Sequence, residues 1–298
     1  MVQEPRPTPT QIGPAAYDTW RRTPLGALTE RLEHGLIFEA AGRLDDLHVL
    51  DVGTGDGAFA VEAARRGAVV TGIDPDPAML AAAAARAHAM DVGLQLGDGR
   101  AEQLPFADGT FDLVFSVAVL CFVADAAAAI REMARVLRPG GRLILGELNR
   151  WSSWAGLRYV KGLAGSRTWR SARFRTAAQL RRSMAAAGLT VMSVDGAVFY
   201  PQFAAAARLM APWDRWLGRR MTFGAAFVVI SARKPSTSCG GPSSIRGGPA
   251  RCFGAAMGTW RRQTFTPIDI SKRRVAAGAI GTMPGLPTSS PSKPSGLA

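Results

Sequence analysis

The chain has 298 residues, 47% of them hydrophobic and 20% charged, enough to bury a sizeable core in one large α/β domain or two small ones. A peptide-sized or fibrous protein is excluded. The formal charge of +13 is unevenly spread: from Pro235 onward eight basic residues meet one acid, Asp269, so about half of the excess belongs to the tail.

Three cysteines, Cys121, Cys239 and Cys252, have no C-x-x-C spacing and no neighbouring His cluster, which argues against a disulfide scaffold or a zinc site and fits a reducing compartment. Residues 1–14 are Pro-rich where a signal peptide needs an apolar run, and no uncharged apolar stretch is long enough to span a bilayer. A soluble, cytoplasmic protein with a flexible N-terminus is expected.

Ala15 to Ala41 reads as a helical cap. From His48 to Lys234, strand-length apolar runs alternate with helix-length amphipathic segments, the pattern of a parallel sheet covered on both faces. The expected strands are 48–53, 68–73, 92–96, 111–118, 141–147, 189–195 and 224–233. Helices are expected over Ala58–Arg66, from the Asp76-Pro77 cap pair to about Met90, and over Ala124–Arg138, stopped by Pro139-Gly140-Gly141. Residues 15–234 form the expected domain. In 235–298, Gly, Pro and Ser supply 27 of 64 residues, beyond the ~25–30% that marks low-complexity sequence, so a disordered basic tail is expected.

The first strand ends in VLDVGTGDG (49–57), a Gly-rich strand-to-helix turn that lets a cofactor approach the backbone. Gly53 to Ala58 also satisfies the dinucleotide fingerprint G-x-G-x-x-A, and Asp74, at the end of the second strand, suits a ribose under either reading. The acids separate the two. Asp51 and Asp56 flank the turn, where a pyrophosphate would meet uncompensated negative charge, whereas a cofactor with an ammonium and a sulfonium tolerates them.

With these residues in view, the sequence resembles the class I S-adenosylmethionine-dependent methyltransferases, in particular the group containing ubiquinone and menaquinone biosynthesis methylases. VLDVGTGDG is similar to the family's cofactor loop and GIDPDPAML (72–80) to its ribose-binding strand end. AEQLPFADGTFDLVFS (101–116) resembles the segment closing over adenine, and RVLRPGGRLIL (135–145) the following helix-to-strand turn. The resemblance spans about 45–147. It implies a Rossmann-like doubly wound seven-stranded sheet with the last strand antiparallel, S-adenosyl-L-methionine as cofactor, and cofactor contacts from Asp51, Gly53, Thr54, Gly55, Gly57, Asp74 and Pro75.

One register departs from the family. Where Gly-Asp-Ala-Glu is usual, the chain has Gly99-Arg100-Ala101-Glu102, with Asp98 two positions early. Either the loop bulges to return Asp98 to the adenine, or Arg100 takes the place and a backbone group substitutes; Asp98 is taken as the acceptor, with the Ala101 amide facing the ring. Asp112, His48 and His88 are read as structural, as is His34, although its helix could turn it to the pocket.

No catalytic residue is assigned, because displacement from a sulfonium depends mainly on positioning the nucleophile. The acceptor side is expected in a helical insertion, 150–182, with nine basic residues, no acid and Trp151, Trp154, Tyr159 and Trp169. Such a segment suits an anionic small-molecule or lipid-like acceptor, clamped for example by Arg170 or Arg173, or an anionic membrane surface with Trp151 and Trp154 at the interface. A solvated helix face with buried tryptophans explains it equally. Nucleic acid and metal are not expected. An NAD(P)-dependent oxidoreductase and a noncatalytic S-adenosylmethionine-binding regulator remain the alternative functions.

Overall fold

The computed structural model describes residues 13–236. The low-complexity tail and nearly all of the flexible N-terminus expected from sequence lie outside them. Two helices, α1 (Pro14–Arg21) and α2 (Pro24–Ala41), precede β1 (His48–Val52), α3 (Ala58–Arg65), β2 (Val69–Ile73), α4 (Pro77–Ala89), β3 (Gln95–Gly97) and β4 (Phe111–Val117). There follow α5 (Ala126–Val136), β5 (Leu137–Leu148), α6 (Ser153–Leu163), α7 (Arg167–Ser171), α8 (Ala177–Ala186), β6 (Thr190–Ala197), α9 (Ala204–Gly218) and β7 (Phe227–Arg233).

The seven strands form one sheet in the order β3-β2-β1-β4-β5-β7-β6. The first five are parallel, and β7 runs antiparallel to both β5 and β6, as the resemblance implies. Neighbouring strand residues go to opposite faces. Val49, Phe115, Ile144 and Val229 join a core with α2, α3 and α4, while Leu50, Val114, Leu145 and Ile230 join one with α5 and α8. Burial on both sides is what makes these strands read as continuous apolar runs.

Local signals set most boundaries. Asp76 caps α4 by accepting from the Ala78 amide at 2.9 Å, with Pro77 in the first turn. Helix α5 is shorter than expected: Asp125 caps it by accepting from Ala128, and it stops at Val136 because Leu137 already pairs with Phe111 in the sheet. Strand β3 is confined to three residues, its pairing with β2 ending at Gly97 opposite Ile73. Helix α9 was not expected. Its buried Asp214 accepts from the Val198 and Phe199 amides at 2.9 and 2.8 Å, holding the chain where Val198 adopts a left-handed φ of 64°.

The chain order reverses between β1 and β4, so the crevice at the carboxyl ends of these strands is where an open α/β sheet binds ligands. Helices α1 and α2 contribute to its walls, and α2 is tied to the segment after β6 by the Thr29 hydroxyl, 3.0 Å from that of Tyr200.

Candidate functional site

A cavity of about 810 Å³ opens at this switch point, lined by the loops after β1, β2, β3 and β4, by α1 and α2, and by α6 and α7. Such a volume suits a small-molecule site.

The loop after β1 forms the floor. Gly53 and Thr54 amides donate to the Ile73 carbonyl at 2.8 and 2.9 Å, drawing the loop across to the end of β2. Gly53 has φ +71°, and a Cβ there would stand 2.4 Å from Val119, so only glycine fits between the β1 and β4 loops. Gly57, with φ +78°, opens α3 where a Cβ would strike Ala83 of α4 at 2.9 Å.

Asp74 organises the loop: one carboxylate oxygen accepts from the Gly55 amide and the other from the Asp76 amide, both at 2.9 Å. Burial raises its pKa against these two hydrogen bonds. Asp51, also buried, accepts from the Thr54 hydroxyl at 2.8 Å. Burial pushes Asp51 up to about 7; the Thr54 bond opposes this, and the charges of Asp74 and Asp56 add to it.

The expectation of uncompensated charge at Asp56 is corrected. Arg21 of α1 donates to both of its carboxylate oxygens, and Arg86 of α4 donates to its Oδ2 at 2.7 Å and to its carbonyl at 3.0 Å. Burial opposes ionisation there, but the two guanidiniums outweigh it and hold the pKa below the ordinary range. Of the three loop carboxylates, Asp51 and Asp74 therefore face the cavity without a cationic side-chain partner.

From the N-terminal helices come Tyr17, Trp20 and Arg21, then Glu30, Glu33 and His34. His34 does reach the cavity, stacked on Phe59 at 4.0 Å, and burial pushes its pKa down to about 4, so it is neutral. Burial raises Tyr17 to about 12 and Glu33 to about 8, the latter against the attraction of Arg158. Opposite them, Glu147 at the end of β5 accepts from the Val119 and Leu120 amides at 3.1 and 2.7 Å, fixing the β4 loop where Ala118 has φ 55°. Strain of this kind is stored at functional sites.

The insertion supplies the remaining wall through Trp154, Arg158, Lys161 and Trp169. Trp154 is 4% exposed and its indole donates to the Tyr200 carbonyl at 2.7 Å, so the expectation that it meets a lipid interface is corrected; Trp151, 57% exposed, is available. Arg170 and Arg173 are exposed and do not line the cavity, so of the nine basic residues Arg158 and Lys161 are the two that do.

Of the sequence-derived candidates, Asp51, Gly53, Thr54, Gly55, Asp74, Pro75 and Ala101 come together on the cavity. Gly57 sits behind it as a packing residue. Asp98 is exposed and outside the lining: pairing of β3 ends at Gly97, whose carbonyl accepts from the Asp74 amide at 3.2 Å, and no bulge returns the side chain. Gly99, Arg100, Ala101 and Glu102 line the cavity instead. Asp112 is structural, accepting from the His48 amide at 2.9 Å and from Arg138 at 2.6 Å. Tyr17, Arg21, Glu33 and Gln202 were missed, because each is brought in from a distant element with no motif around it. Among the described residues no group of three or more His, Cys, Asp or Glu side chains could hold a metal, and no helix is long and apolar enough to cross a membrane.

Comparison with known proteins agrees with this geometry. Residues 50–145 match the family model of a methyltransferase domain. An uncharacterized protein of Mycobacterium tuberculosis (strain H37Rv) is 33% identical over 223 residues, covering 73% of this chain and 71% of the relative. A ubiquinone biosynthesis O-methyltransferase of Methylobacterium sp. (strain 4-46) is 32% identical over 200 residues, covering 65% of this chain and 75% of the relative. Among solved structures, a SAM-dependent methyltransferase of Thermotoga maritima, described as a possible histamine N-methyltransferase, aligns with a TM-score of 0.53 and 26% identity, over 74% of this chain and 95% of the other.

Proposed function

Because the chain belongs to the class I S-adenosylmethionine-dependent methyltransferases, we propose that its cavity holds S-adenosyl-L-methionine at the β1–β2 end and a small, largely apolar acceptor between α1, α6 and α7. The oxidoreductase and regulator alternatives are set aside with the family. The observation that carries the cofactor end of this reading is the pair of buried carboxylates, Asp51 and Asp74, facing a glycine loop. Their chemistry fits a cationic amino acid group and a ribose, and the one loop carboxylate that is charge-paired, Asp56, is spent on Arg21 and Arg86.

When bound, the cofactor supplies an activated sulfonium methyl group for in-line displacement. The chain's part is to bind and orient. Asp74 accepts from the ribose hydroxyls with the lone pairs left beside its two backbone bonds, Asp51 balances the positive charge, and Gly53, Thr54, Gly55 and Pro75 give the loop its close approach. The Ala101 amide faces the adenine. Residues Tyr17, Phe122, Trp154 and Trp169 exclude water from the acceptor.

The apolar and aromatic lining supports an aromatic or lipid-like small molecule, and the relative named for ubiquinone biosynthesis O-methylation is compatible with it. A peripheral contact with anionic lipid is part of the same reading. Its support is the exposed Trp151, Tyr159, Val160 and Leu163 beside the exposed Arg150, Arg167 and Arg170.

The test is to incubate the full chain with methyl-labelled cofactor and an extract of its host separated into polar, lipid and RNA fractions. Label in a small-molecule or lipid fraction is expected. Label confined to RNA, or none in any fraction with a cofactor-competent protein, overturns the acceptor assignment.

A further inference from the structure

Of the two cations of the insertion that line the cavity, Arg158 is incompletely satisfied. Arg158 of α6 has its guanidinium carbon 5.3 Å from the Trp154 ring centroid and 5.0 Å from that of Trp169. Two indoles thus fix the side chain through cation–π contact. Its Nη1 is buried and has no hydrogen-bond partner among the described residues. Buried charges are ordinarily paired and hydrogen-bonded, since an unpaired one is destabilising, and burial does lower the pKa of this arginine.

Among the described residues nothing completes it. Glu33 of α2 lines the same space and feels the Arg158 charge, but it leaves Nη1 without a bond. On the cofactor side, Arg21 and Arg86 are already committed to Asp56, and Arg100 stands 3.5 Å from Glu102. Arg158 therefore stands at the acceptor end as a planar donor, with Lys161 one turn further along α6.

We propose that Arg158 is the specificity residue of the acceptor subsite, its Nη1 donating to an anionic oxygen, a carboxylate or phosphate, on an otherwise apolar acceptor. This rests on the reading of the cavity's other end as the cofactor site. A guanidinium edge matches two oxygens of either anion, and the apolar walls around it favour a ligand with one charged end.

The probes are benzoate, octanoate and phenyl phosphate, each against its uncharged counterpart, benzamide, octanol and phenol, titrated into the full chain saturated with S-adenosylhomocysteine. Tryptophan fluorescence reports the contact, because Trp154 and Trp169 flank the guanidinium. At least one anion is expected to bind tenfold or more tightly than its uncharged counterpart, the carboxylate and phosphate arms telling which group is preferred. Arg158→Gln should abolish that preference, Arg158→Lys should retain part of it, and the exposed-site control Arg181→Gln should leave it intact.

Because removing an unpaired buried charge need not harm the fold, Arg158→Met should melt no lower than wild type and lose the anion-induced rise in melting temperature. Equal binding of charged and neutral probes, no binding of either, or a preference that survives Arg158→Gln overturns the proposal. Failure of S-adenosylhomocysteine itself to bind overturns the cofactor reading instead, and a titration without probes measures that separately.

Discussion

Arg21 and Asp56, 35 residues apart, join helix α1 to the glycine loop after β1 through two guanidinium-to-carboxylate hydrogen bonds, with Glu30 on α2 holding the Arg21 Nε at 2.7 Å. The N-terminal helices and the cofactor loop are therefore locked to each other by charge as well as by packing. Both side chains are well shielded, at 16% and 10% exposure, so the pair is more than a surface contact.

Breaking a shielded pair from one side costs about 3–5 kcal/mol, and Asp56→Asn should fall near the lower end because Arg86 is partly exposed and can turn to water. The pH dependence follows from the depressed pKa of Asp56. Its stabilisation is complete above the ordinary carboxylate range and is lost as pH falls through the depressed folded value, from about pH 5 downward. Thermal melts across that range should slope less steeply in Asp56→Asn than in wild type; parallel slopes would show that the pair contributes nothing.

Asp74 has two tasks in one carboxylate, holding the Gly55 and Asp76 amides and facing the cavity. Asp74→Ala should weaken S-adenosylmethionine binding by about 2–4 kcal/mol, the loss of one or two charge-assisted bonds. Asp74→Asn, whose amide oxygen can still accept from one backbone N–H, should lose less. Calorimetric titration decides it, and an unchanged affinity in the alanine variant would remove Asp74 from the ribose.

Burial raises Asp51 to about 7, so near neutrality it is only partly ionised before a cationic ligand binds. A cationic ligand favours the ionised form, hence binding should release a proton and affinity should rise between about pH 6 and pH 7.5. Calorimetry in buffers of different ionisation enthalpy measures the proton directly. Asp51→Asn should flatten the profile; a pH-independent wild type would mean that Asp51 is not facing the positive charge.

Elements fixed by local chemistry were legible in the sequence. The Asp76-Pro77 cap, the glycines 53, 55 and 57, and the strands with apolar residues on both faces each carry their signal within a few residues. What depends on distant partners was not. Asp56 reads as a bare charge until Arg21 and Arg86 are brought to it. Arg158 looks like its eight basic neighbours until α6 and α7 close two tryptophans around it. Helix α9 eluded the reading because its large residues face outward: Leu209, Trp213 and Trp216 lie on one exposed stripe, and Pro212 interrupts the pattern.

That outward stripe bears on membrane contact. Arg220 lies over the Trp216 ring at 4.2 Å, and the exposed Arg208 and Arg219 accompany it, while Trp151 is joined to the 221–224 loop by the Gly224 amide at 2.8 Å. Each cation near anionic headgroups contributes about 1 kcal/mol within a Debye length, so binding to vesicles should require anionic lipid and fade with added salt. Trp151→Ala and Trp216→Ala should weaken sedimentation with such vesicles without lowering the melting temperature. Trp154→Ala is the discriminating control: its ring is in the core with the indole on Tyr200, so it should lose about 3–5 kcal/mol of stability, as large aromatic truncations do. Vesicle binding that is indifferent to lipid charge, or unchanged by both exposed-tryptophan substitutions, would return these residues to the role of an ordinary solvated face.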